Sequence, residues 1–160
     1  MKFIGSIEEL KNIYGLPREA ALKKVTHKIT LSYKKWIEKS SFCIISSVGS
    51  QGTDASPRGD DESVIKILND KTIALPDWQG NQRIDTLKNI VEDGRVSLLF
   101  MVSGSNNVVR VNGQAKITID NSLISVFNNK NIHPKTVILI NVHEVYSMRT
   151  CTNEVEPMGY

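Results

Sequence analysis

The spacing of apolar residues changes partway along the chain. Up to about residue 40 it is helical. Ser6 can cap a first helix, with Glu9 three residues on as in a capping box, and that helix ends near Gly15. Pro17 opens a second entry. Residues 19–36 read as helical for much of their length, with Ala20, Ala21, Leu22, Val25, Ile29, Tyr33 and Trp36 on one side. From Phe42 the period shortens to that of strands. Residues 42–48 are β-branched and apolar, and Gly49-Ser50-Gln51-Gly52 turns them into a return strand from Asp54 to Arg58. Residues 64–68 and 72–76 continue the sheet around the turn Asn69-Asp70-Lys71, and Pro76 should end its strand, having no N–H for a ladder. Residues 95–102 form a buried strand. Residues 108–119 alternate cleanly, and 137–146 form the last strand. Short helices are expected over 84–91 and 121–127.

This pattern predicts a mainly β fold of about six antiparallel strands with peripheral helices, and a small barrel fits it well. Strands do not alternate with helices of crossover length, which argues against a doubly wound sheet. The length of 160 residues suits one domain. The expected division is helices over 1–40, a barrel over 41–146 and a tail over 147–160.

Composition narrows the function classes. Apolar residues make up 40% and charged residues 23%, ordinary for a folded protein. No apolar run approaches the ~20 residues of a membrane span, and a secretory signal is not expected. The net charge of +3 is small and mixed in sign, so nucleic acid is not expected as a partner. Cys43 and Cys151 read as reduced thiols in a cytoplasmic protein, and His27, His133 and His143 fall in no metal-ligand spacing. Nucleotide-binding glycine loops, hydrolase elbows and zinc-protease motifs are missing, and no catalytic nucleophile stands out. A bound cofactor is then expected to supply any redox chemistry.

Three polar segments border the strands. In Ala55-Ser56-Pro57-Arg58-Gly59-Asp60, Arg58 offers a planar cationic fork, Gly59 allows close backbone approach and Asp60 accepts hydrogen bonds. The segment also reads as a surface turn with a local Arg–Asp pair. The stretch from Leu75 to Asn89 runs from a strand end into a helix start, where free N–H groups and the dipole favour an anion, with Arg83 and Thr86 nearby. It also reads as a loop merely shaped by Pro76 and Gly80. In Val109-Arg110-Val111-Asn112-Gly113, Arg110 and Asn112 share the face opposite the valines and point to a ligand, a partner subunit or water.

In this order and spacing, the segments resemble the pyridoxamine 5′-phosphate oxidase-like family of FMN-binding split β-barrels, and in particular a bacterial branch of it. The resemblance covers about residues 7–146. It rests on Glu9-Leu10, Tyr14-Gly15-Leu16-Pro17, Ser56-Pro57-Arg58-Gly59-Asp60, Pro76-Asp77, Gly80-Asn81 and Arg83. Asp85-Thr86-Leu87, Asn89-Ile90, Leu98-Leu99-Phe100 and Arg110-Val111-Asn112-Gly113 complete it.

The resemblance implies a split barrel and a homodimer with FMN in clefts between subunits. By position it implies Arg58, Gly59, Asp60 and Ser63 along the flavin ring and ribityl chain. Leu75, Pro76 and Asp77 would stand at the strand end beside the cofactor, Asn81 and Arg83 at the phosphate, and Thr86 next to them; Arg110 is a further cofactor contact. It implies a flavin-dependent oxidoreductase that uses NAD(P)H and a small acceptor. The other reading of the same fold is a non-catalytic flavin- or haem-binding sensor. The substrate-binding Arg and His of true pyridoxamine phosphate oxidases have no counterpart, so that activity is not expected. Asp61-Glu62-Ser63, Trp78-Gln79 and the stretch after Tyr146 depart from the branch.

Overall fold

The structure is a computed structural model that describes residues 1–17, 19–80, 82–127 and 132–149. Seven strands form one antiparallel sheet: β1 (Phe42–Gly49), β2 (Gly52–Gly59), β3 (Lys66–Asn69), β4 (Thr72–Asp77), β5 (Arg95–Met101), β6 (Asn107–Thr118) and β7 (Thr136–Arg149). Their order is β2-β1-β5-β6-β7-β4-β3. The count is one above expectation, and the final strand runs past Tyr146 to Arg149; residues 150–160 lie outside the described residues.

Alternation drives the sheet. Cys43, Ile45 and Ser47 of β1, Val96, Leu98 and Phe100 of β5, and Val109 and Val111 of β6 are buried, while their neighbours in sequence lie at least partly exposed or face the other side. Ile138, Ile140 and Val145 of β7 and Ile73 and Leu75 of β4 complete the same core. The end strands β2 and β3 do not pair with each other, yet the sheet curls until their sides approach. Ser40 and Ser41 help to join the two ends: the Ser41 carbonyl accepts from Asp60 N–H at 2.9 Å and the Ser40 carbonyl from Val64 N–H at 3.2 Å. The result is a barrel split along one seam. Pro76 is the penultimate residue of β4 and lies beyond the pairing with β3, where one side of the strand is open and a missing N–H is tolerated.

The helices are short: α1 (Ile7–Tyr14), α2 (Glu19–Leu22), α3 (Leu31–Glu38), α4 (Asp85–Glu92) and α5 (Asn121–Ile124), the last followed by a 3₁₀ turn (Ser125–Phe127). The capping box is formed, with Glu9 N–H donating to Ser6 Oγ at 3.1 Å and Gly5 N–H to Glu9 Oε2 at 2.8 Å. The helix expected over much of 19–36 is interrupted. Thr26 instead bridges Val145 through two backbone hydrogen bonds of 2.9 and 2.7 Å, and Ile29 N–H donates to the Asp70 carbonyl at 2.7 Å. The β-branched Val25, Thr26, Ile29 and Thr30 give up little by leaving the helix. Thr30 then caps α3 by accepting from Tyr33 N–H. Tertiary pairing thus overrides helical spacing here. No helix among the described residues is long and apolar enough to cross a membrane.

The β6–β7 register shifts between Asn112 and Gly113. A Cβ on Gly113 would collide with the backbone carbonyl of Asn141. Gly113→Ala should therefore destabilise the protein by about 1–3 kcal/mol in chemical denaturation. Gly5→Ala, with nothing within 4 Å of the added carbon, should leave the midpoint unchanged.

Candidate functional site

Strand pairing aims three side chains of β2 at the seam. Asp54, Ser56 and Arg58 lie opposite Ser47, Ile45 and Cys43, the buried residues of β1, so all three share the inner face. The other wall comes from the end of β4, residues 78–80 and 82–84, the first turn of α4, and Lys135 just before β7. These elements enclose an open cleft of about 640 Å³.

The wall nearest α4 is a hydroxyl–carboxylate cluster. Thr86, buried on the helix, places its Oγ1 2.5 Å from Asp54 Oδ2 and 3.0 Å from Ser56 Oγ, and the Ser56 hydroxyl donates to the same Asp54 oxygen at 3.0 Å. One turn on, Asn89 Nδ2 donates to Ser47 Oγ at 3.1 Å, fixing α4 to β1. The α4 N-cap, Ile84, offers no side-chain hydrogen bond, so the first turn is left uncapped toward the cleft. Across the cleft, Arg58 Nη2 stands 3.5 Å from Asp77 Oδ1, and its Nη1 donates to the Pro57 carbonyl at 2.9 Å. Arg83 Nε donates to Asp85 Oδ2 at 3.2 Å, and Lys88 Nζ reaches Asp85 Oδ1 at 3.3 Å.

Burial pushes the Asp77 carboxyl up, with Arg58 opposing only in part. The exposed Asp85 carboxyl is held below its usual value, first by the hydrogen bond from Lys88. Burial pushes the Cys43 thiol behind Arg58 up to about 12, so it stays protonated.

Arg58, Gly59, Asp77, Arg83 and Thr86 line this one cleft. Leu75 is wholly buried in the core, and Pro76 is buried beside it. Asp60 and Ser63 spend their side chains locally, Asp60 accepting from Asp61 N–H and Ser63 donating to the Ile65 carbonyl. Arg110 lies on the opposite face of the sheet: it pairs with Leu99, which pairs with Ile44, which pairs with Pro57. There it donates to Tyr146 Oη at 2.9 Å and lies over that ring. Asn81 lies outside the described residues. The cleft adds Asp54, Ser56 and Lys135, which the sequence reading did not nominate. Asp54 and Ser56 were within reach, since a period of two from Arg58 puts them on its face. Lys135 carries no such signal; only the tertiary fold brings it here.

A family model for pyridoxamine 5′-phosphate oxidase matches residues 29–149, more than half of the chain. The chain belongs to the pyridoxamine 5′-phosphate oxidase family. Solved structures share the fold. HupZ of Group A Streptococcus aligns over 79% of this chain and 99% of its own, with a TM-score of 0.62 and 20% identity. General Stress Protein 26 from Bacillus anthracis covers 72% and 89%, at 0.56 and 17%. An FMN-binding protein from Syntrophomonas wolfei covers 91% and 95%, at 0.53 and 14%. No curated protein matches the sequence. Within the family match fall all seven strands and every residue of the cleft, whereas α1 and α2 precede it.

Asp77 gives this family member a pH signature. Its folded-state pKa is raised above 3.8, so the native state binds the proton more tightly than the unfolded chain. Ionisation therefore costs stability above the raised value. Asp77→Asn removes that cost and should melt no lower than wild type at about pH 7. Any advantage should vanish below the ordinary carboxylate value of 3.8, where both side chains are neutral. Thermal melts at the two pH extremes check this.

Proposed function

We propose that this chain binds flavin mononucleotide in the seam cleft and acts as an oxidoreductase, taking reducing equivalents from NAD(P)H. The observation that carries the reading is the meeting of Arg58, Arg83 and the uncapped first turn of α4 in one cleft within the family-matched region. Charge-assisted donors beside a helix N-terminus suit a phosphate. The printed description of the Syntrophomonas wolfei relative as FMN-binding supports the same ligand. The volume lies in the ~300–1,000 Å³ range of small-molecule sites.

The donor set fits the group chemically. Arg58 and Arg83 would hold the phosphate, joined by Asn81. Gly59 leaves the β2 backbone open to close approach, and the Asp54, Ser56 and Thr86 oxygens offer acceptors to ligand hydroxyls. Flavin, when bound, supplies two-electron redox chemistry; the protein's share is binding, orientation and exclusion of water.

A second copy of the chain completes the reading. Arg110 faces away from its own cleft, so a role for it at a cofactor requires delivery across a subunit interface, as in a homodimer with the cofactor between subunits. Two cysteines far apart in the sequence fit a protein working in the reducing cytoplasm.

FMN titration into wild type, Arg58→Ala and Arg83→Ala tests the phosphate site. Each charge-assisted contact of ~1.5–3 kcal/mol lost should weaken binding about tenfold or more, and riboflavin should bind wild type much more weakly than FMN. Unchanged affinity in both variants removes the site. Anaerobic mixing of the reconstituted protein with NADH or NADPH should bleach the flavin bands faster than those of free FMN. Bleaching at the free rate leaves a flavin carrier rather than an enzyme. Light scattering should report a dimer at micromolar concentration.

A further inference from the structure

Arg58 and Asp77 come from strands far apart in the sheet. β2 is one edge, β4 is next to the other, and four strands lie between them in the hydrogen-bonded order. Their side chains meet only because the sheet curls. With exposures of 22% and 20%, they form the one ion pair among the described residues in which both partners are largely buried. The other pairs are local in sequence or well exposed.

The contact is loose. At 3.5 Å it is longer than the ~2.7–2.9 Å of a good charge-assisted bond. Arg58 is the only partner of the Asp77 carboxylate among the described residues. The remaining groups around Asp77 come from every neighbouring element. Lys135 donates its backbone N–H to the Asp77 carbonyl at 3.0 Å, Thr136 of β7 stands opposite in register, and Arg83, Asp85 and Asp54 line the same cleft. The lining thus carries three cations, Arg58, Arg83 and Lys135, against three carboxylates, Asp54, Asp77 and Asp85. An anionic ligand enters a site whose positive charge is already matched.

We propose that Asp77 is a built-in competitor for Arg58: it occupies the guanidinium until a ligand phosphate displaces it, and so sets how strongly the cleft prefers a phosphorylated ligand to its unphosphorylated form. This rests on the flavin mononucleotide reading. Of the five N–H groups on the guanidinium, one donates to the Pro57 carbonyl and another is turned to Asp77, so a phosphate approaching that edge of the fork meets the carboxylate first. Burial raises the Asp77 pKa and Arg58 lowers it, so giving up Arg58 to a ligand would raise it further.

The test measures FMN and riboflavin affinities side by side, by flavin fluorescence, for wild type, Asp77→Asn and Asp77→Glu. Freed of its carboxylate, Arg58 should bind FMN about tenfold more tightly in Asp77→Asn, while riboflavin changes less than about twofold. The FMN-to-riboflavin preference therefore rises about tenfold, and Asp77→Glu keeps the wild-type preference within about threefold. A purely structural role would move both ligands together. Asp77→Ser replaces Asp77→Asn if circular dichroism shows the latter unfolded. A preference unchanged or lowered in the neutral variant overturns the proposal. If neither flavin binds any of the proteins, the flavin reading fails by itself, and calorimetry with inorganic phosphate decides the Asp77 claim. Tighter phosphate binding by the neutral variant supports it; equal or absent binding overturns it.

Discussion

The ladder between β6 and β7 is the constraint on which the rest of the molecule depends. It is the longest pairing in the sheet, and it carries a register shift where Gly113 lets the backbone of Asn141 approach. Everything at the seam is located by it. Register with β7 places the end of β4, so Asp77 lies opposite Thr136, and the chain entering β7 brings Lys135 to the same point. On its other side β6 holds β5, which holds β1, which holds β2 and therefore Arg58. Two walls of one cleft are thus separated by four strands of the sheet and joined by its curvature. A slip of one residue anywhere along this chain of pairings would turn Arg58 or Asp77 to the other face.

Much of the sheet was legible because its signal is local. The period of two in β1, β5 and β6 is written in consecutive residues, and the polar punctuation between strands lies where the turns form. The helical stretch at 19–36 was misread for the opposite reason. Its apolar spacing is compatible with a helix, but Thr26 has a better backbone partner in Val145, more than a hundred residues away, which no local pattern reports. The cleft divides along the same line. Arg58, Arg83 and Thr86 announce themselves as polar residues beside strand ends. Lys135 does not, because its place depends on how β7 returns to β4.

Charge balance gives the cleft a character that a count of its arginines would miss. Arginines alone suggest a strongly positive pocket, yet three carboxylates stand against its three cations, Arg58, Arg83 and Lys135. Two of those carboxylates are in different circumstances. Asp54 is satisfied by two hydroxyls, while Asp77 is largely buried with one distant cation. A group of the second kind is the one whose state changes most readily when a ligand arrives, because it has least to lose.

The position of Ile29 separates two kinds of sequence. It is the first side chain in chain order, among the described residues, to be buried, and the family match begins at the same residue. Before it, α1 is well capped but leaves Ile7, Leu10 and Ile13 open to solvent and buries nothing. Packing therefore places no restraint on which side chains α1 presents. A substitution on that face would leave the barrel core intact, whatever it does to the surface that α1 shows.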